Sequence, residues 1–519
     1  MTRLSTAQLQ NGAEGRAKVA VDVNVQAPMG GWNTRDSFDD IEPTDAIVMD
    51  NWIPGLGSVA VRKGRVVEHR QDMDVVTERT AVETLAVYES EGKRRLIGAD
   101  GGDVYDITQG TTLDTGFGND YWSWANFEGV LVMVNGTDTP QEYDGTTLSD
   151  LVITGPTNPV GVFPYKSRMY YWDSSSQNFW YTALYAKGGA CTEYPLSRLT
   201  TFGGDIIAIG AWTHDGGSGP DDHIAFIMSS GEVVVYQGSS PASISNWALV
   251  GVYNIGVPMS PRCAVKFGGD LFIMTALDVV PMSKIMQGTE TLANRSKISG
   301  AMEQSAQFYG SGGFESIMYP AGKLAVFNVP APGGTEFYQY VMNLITGAWS
   351  RLKGFNAHSW AVVGNDIYYG GDNGVTYKAL EGYVDQELDW NGVDEWEAVD
   401  LPIYSDLQTS WLTFGSVDNK SIKLIKPIFR SAIKVNYTYQ IAMDFEEFGS
   451  LDYPTPIFVY GTPWGSPWGS PWGHAISIDK DWDTVEGFGR YASLYLKTAM
   501  TEPLQWATTI WHIEGGTRL

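Results

Sequence analysis

The sequence predicts an all-β protein: a β-propeller of six or seven blades over residues 81–385 and a β-rich platform domain over 386–519, with few short helices. Three observations predict it. From Ala81 onward a unit recurs in which two apolar strands are split by a Gly or Asp-Gly turn and closed by an aromatic step. Its closing strands return at an average interval of about 45 residues, the length of a four-stranded blade. The composition agrees, because Gly 59, Trp 19, Tyr 27 and Phe 20 mix turn formers with the flat-ringed residues that favour strands. Alternating strands then resume beyond the acidic link Asp385 to Asp400, for instance at Ser421 to Ile428 and Ala432 to Ile441.

The elements follow in order. Residues 1–25 are polar without a clear period and read as a flexible arm. Residues 26–80 supply lead-in strands, such as Val59-Ala60-Val61, that join the platform or close the propeller. The first repeat pairs Leu85 to Tyr88 with Leu96 to Ala99 and ends at Val104-Tyr105, and the second pairs Trp124 to Phe127 with Val130 to Val134 and ends at Gln141-Glu142-Tyr143. Further repeats run through Val162 to Tyr165, Met169 to Trp172 and Phe179 to Tyr181, then Ile224 to Met228 and Val233 to Tyr236. The series continues with Cys263 to Phe267, Leu271 to Thr275 and Val279 to Met282. It closes with Ile317 to Tyr319, Leu324 to Phe327 and Tyr338 to Met342, and then Trp360 to Val363, Ile367 to Tyr369 and Val375 to Tyr377. In Asn343 to Trp349, Thr346-Gly347 reads as a hairpin turn whose Gly supplies positive φ and whose following Trp349 fills a gap between sheets. Ile298, Met302 and Ala306 stand at helical spacing, which predicts one short helix packed against the propeller side.

Charge and motifs narrow the function. Lys+Arg 34 against Asp+Glu 60 gives a net charge of −26, so a general grip on nucleic-acid phosphate is not expected. Nine basic and twelve acidic residues follow Asp400, a balance of −3 that leaves −23 for the first 400 residues. Cys191 and Cys263 alone support neither a disulfide framework nor a Cys-based zinc site. The start lacks an apolar signal run and no stretch has the length of a membrane span, so folding in a cytoplasm is expected. Phosphate-binding Gly-rich loops, His-Glu-x-x-His and Gly-x-Ser-x-Gly are missing.

Four groups carry some chemical promise. His214, Asp215, Asp221, Asp222 and His223 hold metal-type ligands around a Gly-rich turn, though a solvated hairpin tip explains them equally. Asp100, Asp103, Asp106 and Asp144 would be the source of a glycosidase carboxylate pair, but they recur at turns as hairpin chemistry requires. Lys420, Lys423, Lys426, Arg430 and Lys434 lie on strands where alternation places several on one face, either solvated or facing the acidic surface of a neighbouring copy. Pro463 to Gly473, three tandem Pro-Trp-Gly units, reads as a turn-rich loop whose indoles pack in a core or interface or meet a membrane or glycan. No catalytic, cofactor or metal residue is assigned, and the chain is expected not to be an enzyme.

The most informative segment is Ala27-Pro28-Met29-Gly30-Gly31-Trp32-Asn33-Thr34-Arg35-Asp36-Ser37, followed by Asp45-Ala46, Asp50 to Pro54 and Val61-Arg62-Lys63-Gly64. It resembles the opening of the tail nozzle (tail tubular protein B-like) family of short-tailed, podovirus-like bacteriophages, over about 40 residues by motif and beyond them by architecture. The resemblance implies a virion protein of the phage tail, made in the host cytoplasm, in which six copies form a ring below the portal and its adaptor. It implies contacts with tail fibres or a spike, and double-stranded DNA passing through the lumen without specific binding. The alternatives are a carbohydrate-binding, receptor-recognising propeller and a propeller glycosidase.

Overall fold

The computed structural model describes residues 20–70, 79–90, 92–214, 221–288, 295–308, 312–390, 396–416, 418–458 and 477–515. They fall into two compact units. One holds Trp32–Asp36 and Arg62–Ile403, and the other gathers Met1–Gly31, Ser37–Val61 and Tyr404–Leu519. Among the described residues no helix is long and apolar enough to cross a membrane.

The larger unit is a propeller of seven antiparallel sheets. Blade 1 contains Thr84–Ser90, Lys93–Asp100, Asp103–Asp106 and Thr111–Thr115, and blade 2 contains Ser123–Phe127, Val130–Val134, Gln141–Tyr143 and Leu148–Asp150. Blade 3 starts at Pro159–Tyr165, blade 4 at Ile206–His214, blade 5 at Ala264–Phe267, blade 6 at Glu315–Tyr319 and blade 7 at Ser359–Val363. These first strands are the innermost ones, and each touches the next until that of blade 7 meets that of blade 1, so the circle closes.

The second strands read as unbroken apolar runs because each sheet is covered on both faces by its neighbours. Leu131, Val132, Met133 and Val134 are all fully buried. Leu131 and Met133 pack with Tyr88, Ile97 and Val104 of blade 1, whereas Val132 and Val134 pack with Met169 and Tyr171 of blade 3. Each such side chain contributes about 1.5–3 kcal/mol relative to exposure. In blade 4 the sequence reading placed only the two middle strands. The innermost Ile206–His214 and outermost Trp247–Asn254 complete it.

Among the described residues blade 5 has three strands, followed by the short helices Met282–Met286 and Ser299–Ser305, the latter extended by a 3-10 turn over Ala306–Phe308. Ile298 and Met302 of the expected helix are fully buried, while Ala306 is only partly covered. Tyr340 of blade 6 reaches this helix through hydrogen bonding between its hydroxyl and Ser305 Oγ at 2.8 Å.

Blade 7 takes its fourth strand from the other end of the unit: Arg65–Arg70 pairs antiparallel with Val375–Ala379. Closing the circle with a strand distant in sequence makes the last blade depend on both ends of the unit at once. The described parts of the acidic link are strands. Asp385–Trp390 and Trp396–Leu401 form a two-stranded ribbon continuing the blade 7 sheet. Gly64 is the tight point, since a Cβ there would run into the Val384 carbonyl. Gly64→Ala is therefore expected to prevent blade 7 from closing, read as loss of the cooperative melting transition. A variant melting within about 1 kcal/mol of the parent would show that the strand yields.

The smaller unit places two sheets face to face. One orders Asp45–Asp50, Ile403–Thr409, Ala492–Met500 and Tyr437–Met443. The other is built on the long antiparallel pair Lys420–Ser431 and Leu504–Gly515, flanked by Ala20–Gln26, Val59–Val61, Ser477–Asp479 and Asp483–Gly489. Phe429 of the second sheet meets Tyr437 of the first at 5.0 Å between ring centroids, and Trp52 and Trp506 cross edge to face at 6.3 Å. The Gly30-Gly31 pair lets the chain bend into this unit: Gly31 has φ 88°, and a Cβ on Gly30 would collide with Asp45.

Candidate functional site: the propeller hub and its closing joint

The innermost strands of the propeller begin around one mouth of its axis, and Arg262 occupies that mouth. It lies just before the blade 5 strand Ala264–Phe267. Its guanidinium donates to the Glu83 carbonyl (3.0 Å) and Thr84 Oγ1 (2.9 Å) of blade 1, and to the Trp122 carbonyl (3.0 Å) at the start of blade 2. It also donates to Glu315 Oε2 of blade 6 at 3.4 Å, and it sits 4.0 Å over the Tyr121 ring. Trp360 N of blade 7 donates to the same Glu315 oxygen at 3.1 Å.

One rigid fork with five donors thus ties blades 1, 2, 5 and 6 directly, and blade 7 through Glu315, which a lysine ammonium cannot do. Burial pushes the Glu315 carboxyl above its usual range, with Arg262 opposing. Beside the fork lies a cavity of about 240 Å3 whose lining includes Tyr121, Trp124, Phe163 and Trp172. The Arg262 side chain thus reaches across this mouth from blade 5 to blades 1, 2 and 6.

His358, at the start of blade 7, lies close by. Its Nε2 is 2.9 Å from Asp372 and its Nδ1 is 3.5 Å from Glu83. Burial disfavours its charged form, but the two carboxylates prevail and carry the imidazole from 6.5 to about 9. A folded-state value above the unfolded one means that this stabilisation is complete below about pH 6.5 and is lost as pH rises through 9. The His358→Gln variant is expected to melt with a flatter dependence on pH between 6.5 and 9 than the parent, and parallel curves would refute this.

The closing joint uses the residues of the opening motif. Arg62, its side chain 1% exposed, makes a two-pronged ion pair with Asp385, Nη1 to Oδ1 at 2.8 Å and Nη2 to Oδ2 at 2.6 Å. Its remaining reach goes to the Lys63 and Lys353 carbonyls, and the guanidinium stacks 4.1 Å over Phe355. Arg65 donates to the carbonyls of Gln386 and Gly354 and pairs with Glu387, while Arg70 lies 4.4 Å over Trp396. Upstream, Asn33 Oδ1 accepts the Arg35 and Asp36 amides at 3.2 Å each. Thr34 Oγ1 accepts the Ala301 amide at 3.1 Å and so satisfies an early amide of the Ser299–Ser305 helix.

The carboxylates weighed as catalytic are in structural service. Asp100 is fully buried, bound by Arg79 Nε at 2.8 Å and by the Tyr105 hydroxyl at 2.7 Å, with burial raising its carboxyl. Asp103 meets Arg79 at 3.1 Å. Asp106 accepts the Tyr143 hydroxyl at 3.0 Å and the Gln109 amide at 3.0 Å, and Asp144 accepts the Thr146 and Thr147 amides of its own turn.

Of the metal-type stretch, Asp215 lies outside the described residues. Asp222 is engaged by Lys166 and by Thr213 Oγ1 (2.6 Å), while neighbouring His223 stacks on Trp212 at 5.1 Å. Adjacent strand residues point to opposite faces, which parts the two. Among the described residues, no group of three or more His, Cys, Asp or Glu is placed to hold a metal. The Pro463 to Gly473 loop also lies outside the described residues.

The basic run divides. Lys420 turns inward, and its ammonium donates to the carbonyls of Ser416 (2.5 Å), Asp418 (3.0 Å) and Arg490 (3.0 Å), with burial lowering its pKa. The expectation of a shared face fails for this residue because a bulge between Ile422 and Leu424 shifts the register. Lys423 and Arg430 are exposed, Lys426 lies 5.2 Å over Trp482, and Lys434 approaches Asp481 at 3.7 Å.

No family model matches the chain, and no curated protein matches it. Among solved structures, the chain is similar to BBS1N in complex with ARL6DN (10% identity, 62% of this chain and 98% of that chain, TM-score 0.39). It is similar also to YCF48 from Cyanidioschyzon merolae (12%, 60% and 98%, TM-score 0.37) and to BamB from Moraxella catarrhalis (13%, 59% and 97%, TM-score 0.32). Similarities this remote carry no argument about what the chain does.

Proposed function

We propose that the chain is a structural protein of a phage tail, of the nozzle type, whose copies form a ring below the portal and adaptor and conduct or retain the genome. The observation that carries this reading is where the motif residues lie. Arg62, quoted for the resemblance, fastens the entry of the propeller unit to its exit at Asp385, while Asn33 holds the Arg35 and Asp36 amides of its own turn and Thr34 holds the helix after blade 5, the work of a scaffold rather than of a reaction centre. The Arg262 side chain, reaching across the propeller's mouth, supports a passage that runs between copies rather than through one propeller. A net charge of −26 per copy suits a lumen along which a duplex slides without sticking.

Negative-stain imaging and light scattering of the purified chain, alone and with a portal complex, test the reading. A ring with a central hole is expected. A monomer that binds glycan overturns the proposal in favour of a receptor-recognising propeller. Replacing several lumen-facing acids by Lys in such a ring is expected to slow or block genome release, and unchanged ejection would remove the electrostatic argument.

A further inference from the structure

The turn that follows the strand Tyr437–Met443 in the smaller unit carries a side chain that its backbone does not favour. The Glu446 amide closes this turn on the Met443 carbonyl at 2.9 Å, and both central residues lie at positive φ, Asp444 at 47° and Phe445 at 67°. Asparagine, aspartate or glycine is usual at such positions, and a bulky phenylalanine is rare there. The turn is nevertheless fixed, because Asp444 Oδ1 accepts the amides of Arg490 (2.7 Å) and Tyr491 (2.9 Å). A strained residue held in place by its surroundings points to a use for its side chain.

That side chain is the centre of a surface patch. The Phe445 ring meets Tyr491 at 4.8 Å, Trp411 at 4.9 Å and Phe38 at 5.4 Å, and Phe448 lies 6.4 Å from Trp411. Phe38 is 56% exposed and the other four side chains are only partly covered. Among the described residues no cation stands over these five side chains: Lys497 lies over Tyr453 and Tyr495, and Arg490 donates to Asn419 Oδ1. Carboxylates accompany the patch on both of its segments. Asp39, Asp40 and Glu42 follow Phe38, and Glu446 and Glu447 separate Phe445 from Phe448. All five are exposed, and among the described residues none of them forms an ion pair.

The charge decides what can cover such a patch. Phosphates of nucleic acid and of anionic lipid carry the same sign as its carboxylates, and a second copy of the chain brings −26. A guanidinium, in contrast, stacks on an aromatic face while its donors reach the carboxylates beside it. We infer that this face of the smaller unit docks a basic polypeptide segment of another protein, whose arginine side chains lie over Phe445 and Phe448 and pair with Glu446 and Glu447. The inference does not depend on the ring reading, because one copy contains the whole patch.

The test uses the full chain and a labelled decapeptide of alternating arginine and glycine, read by fluorescence anisotropy, with melting curves to establish folding. The peptide is expected to bind more tightly than its lysine counterpart. F445G, F448A and E446K/E447K are each expected to weaken it on the order of tenfold. D114K/E128K, the same change of charge at exposed positions of blades 1 and 2, is expected to leave the affinity unchanged. F445G is expected to melt above F445A, because glycine accepts the positive φ that alanine resists, so the backbone cost and the use of the side chain are read separately. Affinity indifferent to F445G and F448A in folded chains, an equal loss in D114K/E128K, or F445A melting as high as F445G overturns the assignment. So does a parent chain that ignores the peptide and binds phosphatidylserine vesicles instead.

Discussion

Arg262→Ala is expected to be among the most damaging single changes in the propeller, costing about 3–5 kcal/mol, because it strands a buried carboxylate and several carbonyls at once. Without the guanidinium, Glu315 is left with the Trp360 amide among the described residues, and the Glu83 and Trp122 carbonyls lose the fork between them. Arg262→Lys should recover only part of the loss, since an ammonium is a point donor and cannot span acceptors on blades 1, 2 and 6 together. Glu315→Gln should be milder, because an amide oxygen still accepts from Trp360 and Arg262. Denaturant midpoints followed by tryptophan fluorescence check the order, provided the slope of the transition is unchanged. A cost for Arg262→Ala below about 1 kcal/mol would mean that water replaces the fork and that the mouth is open.

Asp385→Ala is expected to be of similar size, about 3–5 kcal/mol, since it leaves the Arg62 guanidinium buried against Phe355 without its counter-charge. The paired change Arg62→Met with Asp385→Ala should cost less than Asp385→Ala alone, because removing both charges abolishes the desolvation penalty that removing one exposes. The loss should concentrate in the last blade. Amides of Arg65–Arg70 and Val375–Ala379 should exchange hydrogen faster while those of blade 2 stay protected. Uniform loss of protection, or strict additivity of the two single changes, would refute a local joint closed by a charge pair.

The strands were legible where each blade buries both faces of its second strand. Leu96 to Ala99, Val130 to Val134 and Leu324 to Phe327 announce themselves as apolar runs bounded by turns, and the structure places a strand at each. Turn chemistry was equally plain at Gly347, whose φ of 70° and hydrogen bond to the Asn343 carbonyl make the hairpin that the Thr-Gly pair signals. Blade 4 was read short. Its inner strand Ile206–His214 ends in Gly210-Ala211-Trp212-Thr213-His214, where neither an apolar run nor clean alternation survives. The hub escaped detection altogether, because an arginine between Pro261 and Cys263 looks like any turn residue until strands from five blades converge on it.

Local composition therefore settled the class of structure, since period, turn residues and two-faced burial are properties of neighbours along the chain. Tertiary structure alone decided the blade count of seven, because the fourth strand of the last blade, Arg65–Arg70, comes from hundreds of residues upstream and carries no mark of its distant partner. It decided likewise that Asp100 binds Arg79 while Asp144 caps a turn, and that Lys420 faces inward while Arg430 faces out. Residues of one type acquire opposite roles when a bulge, a joint or a buried counter-charge, none of them local in sequence, sets the cost of burying each charge.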